Sequence, residues 1–159
     1  MLAMTVSDAI NTGLLVAAVI GIALTFWQVR VGVRTQRAQF LQELYSTLVS
    51  DPDIGEAYYL IEYGSFEYGS DFHGSAIERK VDRLLGFADL VAELHLQSII
   101  SAREMTFFSY RFKRLFDDPG IQRYLSFLDL FYRRVGIDKR PYHSFQQVAQ
   151  KFQAKGGSR

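Results

Sequence analysis

The sequence predicts an all-α protein: an N-terminal transmembrane helix that continues into a stalk, then an antiparallel bundle of about five helices. Three observations carry this. Residues 9–29 form an uncharged apolar run. The apolar residues after it recur at helical spacing, and no segment alternates as a strand does. Asp-Pro pairs and Ser-x-x-Glu boxes, which start helices, punctuate the remainder.

The apolar run, AINTGLLVAAVIGIALTFWQV, is bounded by Asp8 and Arg30. At about 1.5 Å per residue it covers roughly 32 Å, close to the ~30 Å of a hydrocarbon core. Trp27 sits where an aromatic belt is expected. A cleaved signal peptide needs basic residues before its apolar core, and residues 1–8 hold neither Lys nor Arg. Arg30, Arg34 and Arg37 follow the run, which places them inside and the N-terminus outside. The expected location is the inner (plasma) membrane, single-pass, with the remaining domain cytoplasmic. Gly13, Ala17, Gly21 and Thr25 make one stripe of small residues down the span, suited to self-association; Gly and Ala are also common in membrane helices generally.

Val33, Phe40, Leu41, Leu44, Tyr45 and Leu48 extend the helical period to about residue 49, so the span should continue as an amphipathic stalk. Asp51-Pro52 starts the next helix, with Ile54, Ala57, Tyr58 and Ile61 on one face. A loop, GSFEYGSDFHG, follows, and the tetrapeptide Glu-Tyr-Gly-Ser occurs at 62–65 and again at 67–70. Ser75 with Glu78 opens a central helix to about Leu96, and Ser101 with Glu104 opens a fourth. Asp118-Pro119 opens a fifth, which Gly136 ends, and Pro141 precedes a short sixth carrying Phe145, Val148 and Phe152. Residues 48–54 and 115–121 echo each other at an offset of 67 residues, read either as a duplication or as two independent Asp-Pro starts. The predicted divisions are an anchor at 1–30, a stalk at 31–49, a helical domain at 50–153 and a frayed tail at 154–159.

The chain has no cysteine, which excludes disulfides, thiolate metal sites and a cysteine nucleophile. Its net charge of +1 argues against generic nucleic-acid binding. That total conceals a division. Residues 43–98 hold 11 acidic and 3 basic side chains; residues 99–159 hold 5 acidic and 12 basic. The two halves are expected to pack on each other, with Asp82, Asp89 and Glu93 of the central helix opposite Arg111, Lys113 and Arg114. The same six residues are the candidate interaction surface.

Catalytic signatures are weak. His73 lies near Ser70 and Asp71, but a triad is a spatial arrangement that local proximity does not establish. Asp71 and His73 as metal ligands would need further partners that the sequence does not identify. His95 falls on the apolar stripe of the central helix and reads as a partly buried, hydrogen-bonded residue. There is no P-loop, dinucleotide fingerprint, HExxH or G-x-S-x-G. No catalytic residue, cofactor or metal is assigned.

The Arg-flanked RTQRAQF, then SDPDI, VDRLLGFADLVAEL and FKRLFDDPGIQRYL, resemble a class of small single-span bacterial membrane proteins with a helical cytosolic domain and no assigned activity. The resemblance implies a bacterial inner-membrane location and no residue roles. Together these readings lead to the expectation of a membrane-anchored, non-enzymatic interaction or regulatory module. It would be homo-oligomeric through its span and would have an unknown protein partner. The alternatives are a membrane-perturbing effector of a phage-defence or toxin system, and an enzyme with an unrecognised site.

Overall fold

In a computed structural model the backbone is described for residues 6–156; for residues 6–13, 16, 17, 23, 34, 155 and 156 only the backbone is described. Every regular element among them is an α-helix: α1 (Val6–Ser50), α2 (Pro52–Glu62), α3 (Ala76–Leu96), α4 (Ala102–Asp117), α5 (Pro119–Arg134) and α6 (His143–Gly156). The chain divides into two compact units, Met1–Thr47 and Leu48–Arg159.

The first unit is α1 alone, and here the expectations require correction. Among the described residues no helix is long and apolar enough to cross a membrane. The large apolar side chains described before Arg30 run from Leu14 to Val29 and are exposed. Thr25 and Gln28 interrupt them, and Arg30 ends the stretch. The transmembrane helix, its stalk and the bundle of about five helices therefore give way, among the described residues, to six helices with neither span nor stalk; α1 from Leu48 onward belongs to the second unit. The conclusions drawn from the span fall with it. These are bilayer anchoring, self-association through the span, single-pass inner-membrane topology and a bilayer-perturbing effector.

In the second unit α3 packs on α6 and α2, α4 packs on α6, α2 and α3, and α5 packs on α4. α2 buries Ile54, Ala57, Tyr58 and Ile61, the four that share a face in the sequence. α3 buries Val81, Leu84, Leu85, Phe87, Ala88, Val91 and Ala92, broad enough to meet neighbours on two sides; Leu90 faces outward. Local chemistry sets the helix ends. Asp51 and Asp118 each accept two backbone N–H groups at the start of a helix whose first residue is proline. Ser101 and Glu104 form a full capping box. At Ser75 only half the box is present: the serine accepts from Glu78 N, while the glutamate turns to the loop before it. Gly136 follows α5 at φ 78°, where a side chain would be strained. α6 runs to Gly156, and residues 157–159 of the expected tail lie outside the described residues.

Candidate docking surface

The α3 carboxylates accept hydrogen bonds from later segments of the chain. Asp82 Oδ1 accepts Tyr124 OH at 2.6 Å and Tyr142 OH at 3.0 Å. Asp89 Oδ1 accepts the backbone N–H of Phe145 at 2.9 Å. Glu93 accepts the Ser144 hydroxyl, and that bond together with one from Gln97 holds its carboxyl below the usual range. Asp89 thus caps the start of α6 from another helix, where unpaired N–H groups and the positive end of the helix dipole favour an anion, while Glu93 holds a side-chain hydroxyl of the same turn. Burial followed by the bond to Asp82 pushes the Tyr124 phenol well up, and burial does the same for Tyr142.

The predicted arginines act elsewhere. Arg114 Nη2 donates to the carbonyls of Ile61 (2.9 Å) and Glu62 (3.0 Å), the C-terminal end of α2. Arg111 lies over the Tyr58 ring, 5.1 Å from its centroid. Lys113 is exposed. The Glu62 carboxylate accepts Tyr58 OH at 2.6 Å and Tyr110 OH at 2.7 Å. Those two bonds, Tyr58 first, hold its carboxyl low. The acidic and basic halves are therefore joined at these points by tyrosine and serine hydroxyls, backbone N–H groups and a guanidinium on carbonyls. Lys80–Glu56, Arg83–Asp51, Arg83–Asp53 and Arg133–Asp129 are ion pairs within one half or the other. A hydroxyl bond orders a short or rigid side chain, whereas an exposed ion pair orders two long ones for about 0–1 kcal/mol.

In α1, Thr25 Oγ1 donates to Gly21 O at 2.8 Å and nothing approaches the α-carbon of Gly21. Arg30 and Arg37 are exposed. The side chains at Gly13, Ala17 and Arg34 lie outside the described residues.

The loop before α3 closes on itself. His73 Nδ1 meets Glu78 Oε1 and Nε2 meets Tyr68 OH, each at 2.9 Å. Burial pushes the Glu78 carboxyl up, but bonds from Gly74 N–H and His73 outweigh it and leave the group low. Ser70 donates to Asp71, not to His73, so no triad assembles. Among the described residues no cluster of His, Asp or Glu could hold a metal ion. His95 is half-buried with Nδ1 on Ile100 O at 2.9 Å.

What sequence reasoning missed is the outer face of α5. This helix buries Gly120, Ile121, Tyr124 and Leu125 near its start. Its second half leaves Phe127, Leu130 and Phe131 at 39%, 64% and 47% exposure. Arg123, Phe127, Leu130 and Arg134 share one stripe at i, i+4, i+7 and i+11. Tyr68, Gln122 and Ser126 complete a shallow groove beside Arg123, Phe127 and Leu130. Phe127 is fixed by the loop: its ring lies 4.2 Å from the His73 ring and 6.4 Å, stacked, from Phe131. The signal was present, because α5 carries apolar residues on more of its circumference than one core contact can cover.

No family model matches the chain, and no curated protein or solved structure is similar to it. The resemblance to single-span membrane proteins is thus corrected twice, by the absence of any family match and by the absence of a helix among the described residues that could form the span.

Proposed function

We propose that the unit Leu48–Arg159 is a non-catalytic docking module that binds another protein through the α5 stripe Arg123, Phe127, Leu130 and Arg134. This reading uses neither α1 nor the α3 carboxylates. The observation that carries it is the row of large apolar side chains left open between two arginines, on a helix whose other face is packed. Interfaces concentrate their energy in such aromatic and aliphatic anchors and in arginine. The non-catalytic reading is supported by the use already made of the α3 acids, which end on Tyr124, Tyr142, Ser144 and the α6 backbone.

A photo-crosslinking residue in place of Leu130 in the 159-residue chain tests the proposal in cells that make it. Expected is a discrete crosslinked partner, absent when the probe replaces Gly86 on the exposed side of α3, and lost with Phe127→Asp. Equal capture at both positions, or capture indifferent to Phe127→Asp, overturns the reading.

A further inference from the structure

α6 packs mainly on α3 and α4, not on α5, the helix it follows. Its apolar side fills the groove between those two helices. Phe145, Val148 and Ala149 are buried there, and the Phe145 ring lies 5.3 Å from that of Phe112. Its start is tied to α3, with the Ser144 hydroxyl on Glu93 and the Phe145 N–H on Asp89. Tyr142, just before it, donates to Asp82 of the same helix. Toward its other end Gln153 donates to Asp117 of α4. The connection from α5 is different in kind: residues 135–140 are all exposed. Arg140 stands 3.9 Å from Asp129, an exposed contact too long to restrain it strongly. The groove, not the connection, holds α6.

We infer that the groove between α3 and α4 accepts the α6 of a second copy of the chain, so that two copies exchange this helix. The occupant is the one the structure already seats there. A second copy presents the same side chains to Asp89, Glu93 and Phe112, so exchange sacrifices no contact, and the hinge and the protein concentration decide the outcome. The hinge turns on one residue. Gly136 ends α5 at φ 78°, with its N–H on Arg133 O and the Ile137 N–H on Tyr132 O. With that turn straightened, residues 135–140 reach up to roughly 20 Å, enough to carry α6 to a neighbour. This assembly uses neither α1 nor the α5 stripe, so it is independent of the docking reading above.

The chain has no cysteine, which allows a clean test by thiol crosslinking. Whole chains carrying Asp117→Cys are mixed with whole chains carrying Gln153→Cys, incubated at high concentration and treated with a short bifunctional maleimide. Expected is a covalent dimer in the mixture well above that from either variant alone. A single chain carrying both cysteines, kept dilute, should crosslink within itself. Gly136→Ala should raise the dimer yield roughly fivefold per hinge, because alanine pays about 1 kcal/mol for the left-handed turn that exchange removes. Sedimentation of the chain without cysteines should show a dimer that grows with concentration and with Gly136→Ala, at unchanged helical circular dichroism. Pairing Asp117→Cys with Gly86→Cys, on the exposed side of α3, should give no such dimer. Equal yield from that pair shows association of intact faces and overturns the inference. So does a yield indifferent to Gly136→Ala, or a chain that stays monomeric at every concentration with and without that substitution.

Discussion

The two Asp-Pro helix starts look alike in sequence, and each aspartate does the same local work. Asp51 Oδ1 accepts from Asp53 N at 3.0 Å and Ile54 N at 3.2 Å. Asp118 Oδ1 accepts from Gly120 N at 2.9 Å and Ile121 N at 3.0 Å. Their surroundings differ. Asp51 is half-buried, and its second oxygen meets Arg83 Nη2 at 3.2 Å at the surface. Asp118 is 4% exposed, and the residue two places on is a glycine lying under the Phe66 ring. One start is a surface cap and the other is part of the core. Identical local chemistry thus carries different energetic weight according to what lies over it.

The largest effect expected from breaking this contrast is Gly120→Ala. A Cβ there would lie 2.8 Å from two carbons of the Phe66 ring, and a buried ring cannot swing aside as a flexible chain end can. Overpacking against a buried ring at this distance costs about 3 kcal/mol or more, of which the ~1 kcal/mol by which alanine favours a helix offsets part. Urea unfolding should show a lower midpoint, recovered in part by Phe66→Leu. At the matching position of the other start, Asp53→Ala should change stability by under about 0.5 kcal/mol, because the Asp53 carboxylate pairs with Arg83 at the surface.

Next in size is Asp118→Ala, expected to destabilise by about 2 kcal/mol, since the two N–H groups it leaves are buried. Asp51→Ala should cost nearer 1 kcal/mol, because water can reach the freed groups. Equal losses in paired thermal melts would show that burial does not divide the two caps. One change is a gain. Gly55→Ala, in the first turn of α2 with nothing within 4 Å of its added Cβ, should stabilise by roughly 0.5–1 kcal/mol.

Acid adds a probe of α2 at its other end. The Glu62 carboxyl is held below its ordinary value by Tyr58 and then Tyr110, so its contribution is present above about pH 4.5 and lost as pH falls through the lower folded value. Tyr110→Phe should shallow the loss of stability with pH in that range. An unchanged slope would count against the tyrosine bond as its source.

The helix starts could be read from sequence because capping is chemistry within four residues. The same holds for the buried face of α2, which periodicity marks. The weight of Gly120 could not be read, because Phe66 reaches it from a distant loop. Nor could the partners of Asp82, Asp89 and Glu93. Pairing charge with charge points to arginines, but the fold supplies Tyr124, Tyr142, Ser144 and the Phe145 N–H. The apolar run of α1 suggests a span when length and polarity are judged on an isolated helix. The α5 stripe is visible as spacing, but spacing alone assigns its apolar members to the core.

The start of α6 illustrates a different consequence. Its first turn is secured by acids that belong to α3, and Tyr142 just before it sits at φ 49° with its hydroxyl on Asp82. A helix of this length is marginal in isolation. Its nucleation signal is therefore not encoded beside it; it comes from a neighbour already folded. α6 should order after α3 rather than alongside it, so pulsed hydrogen exchange during refolding should protect α3 amides first. Replacing Asp89 with Asn should slow α6 protection while leaving that of α3 unchanged.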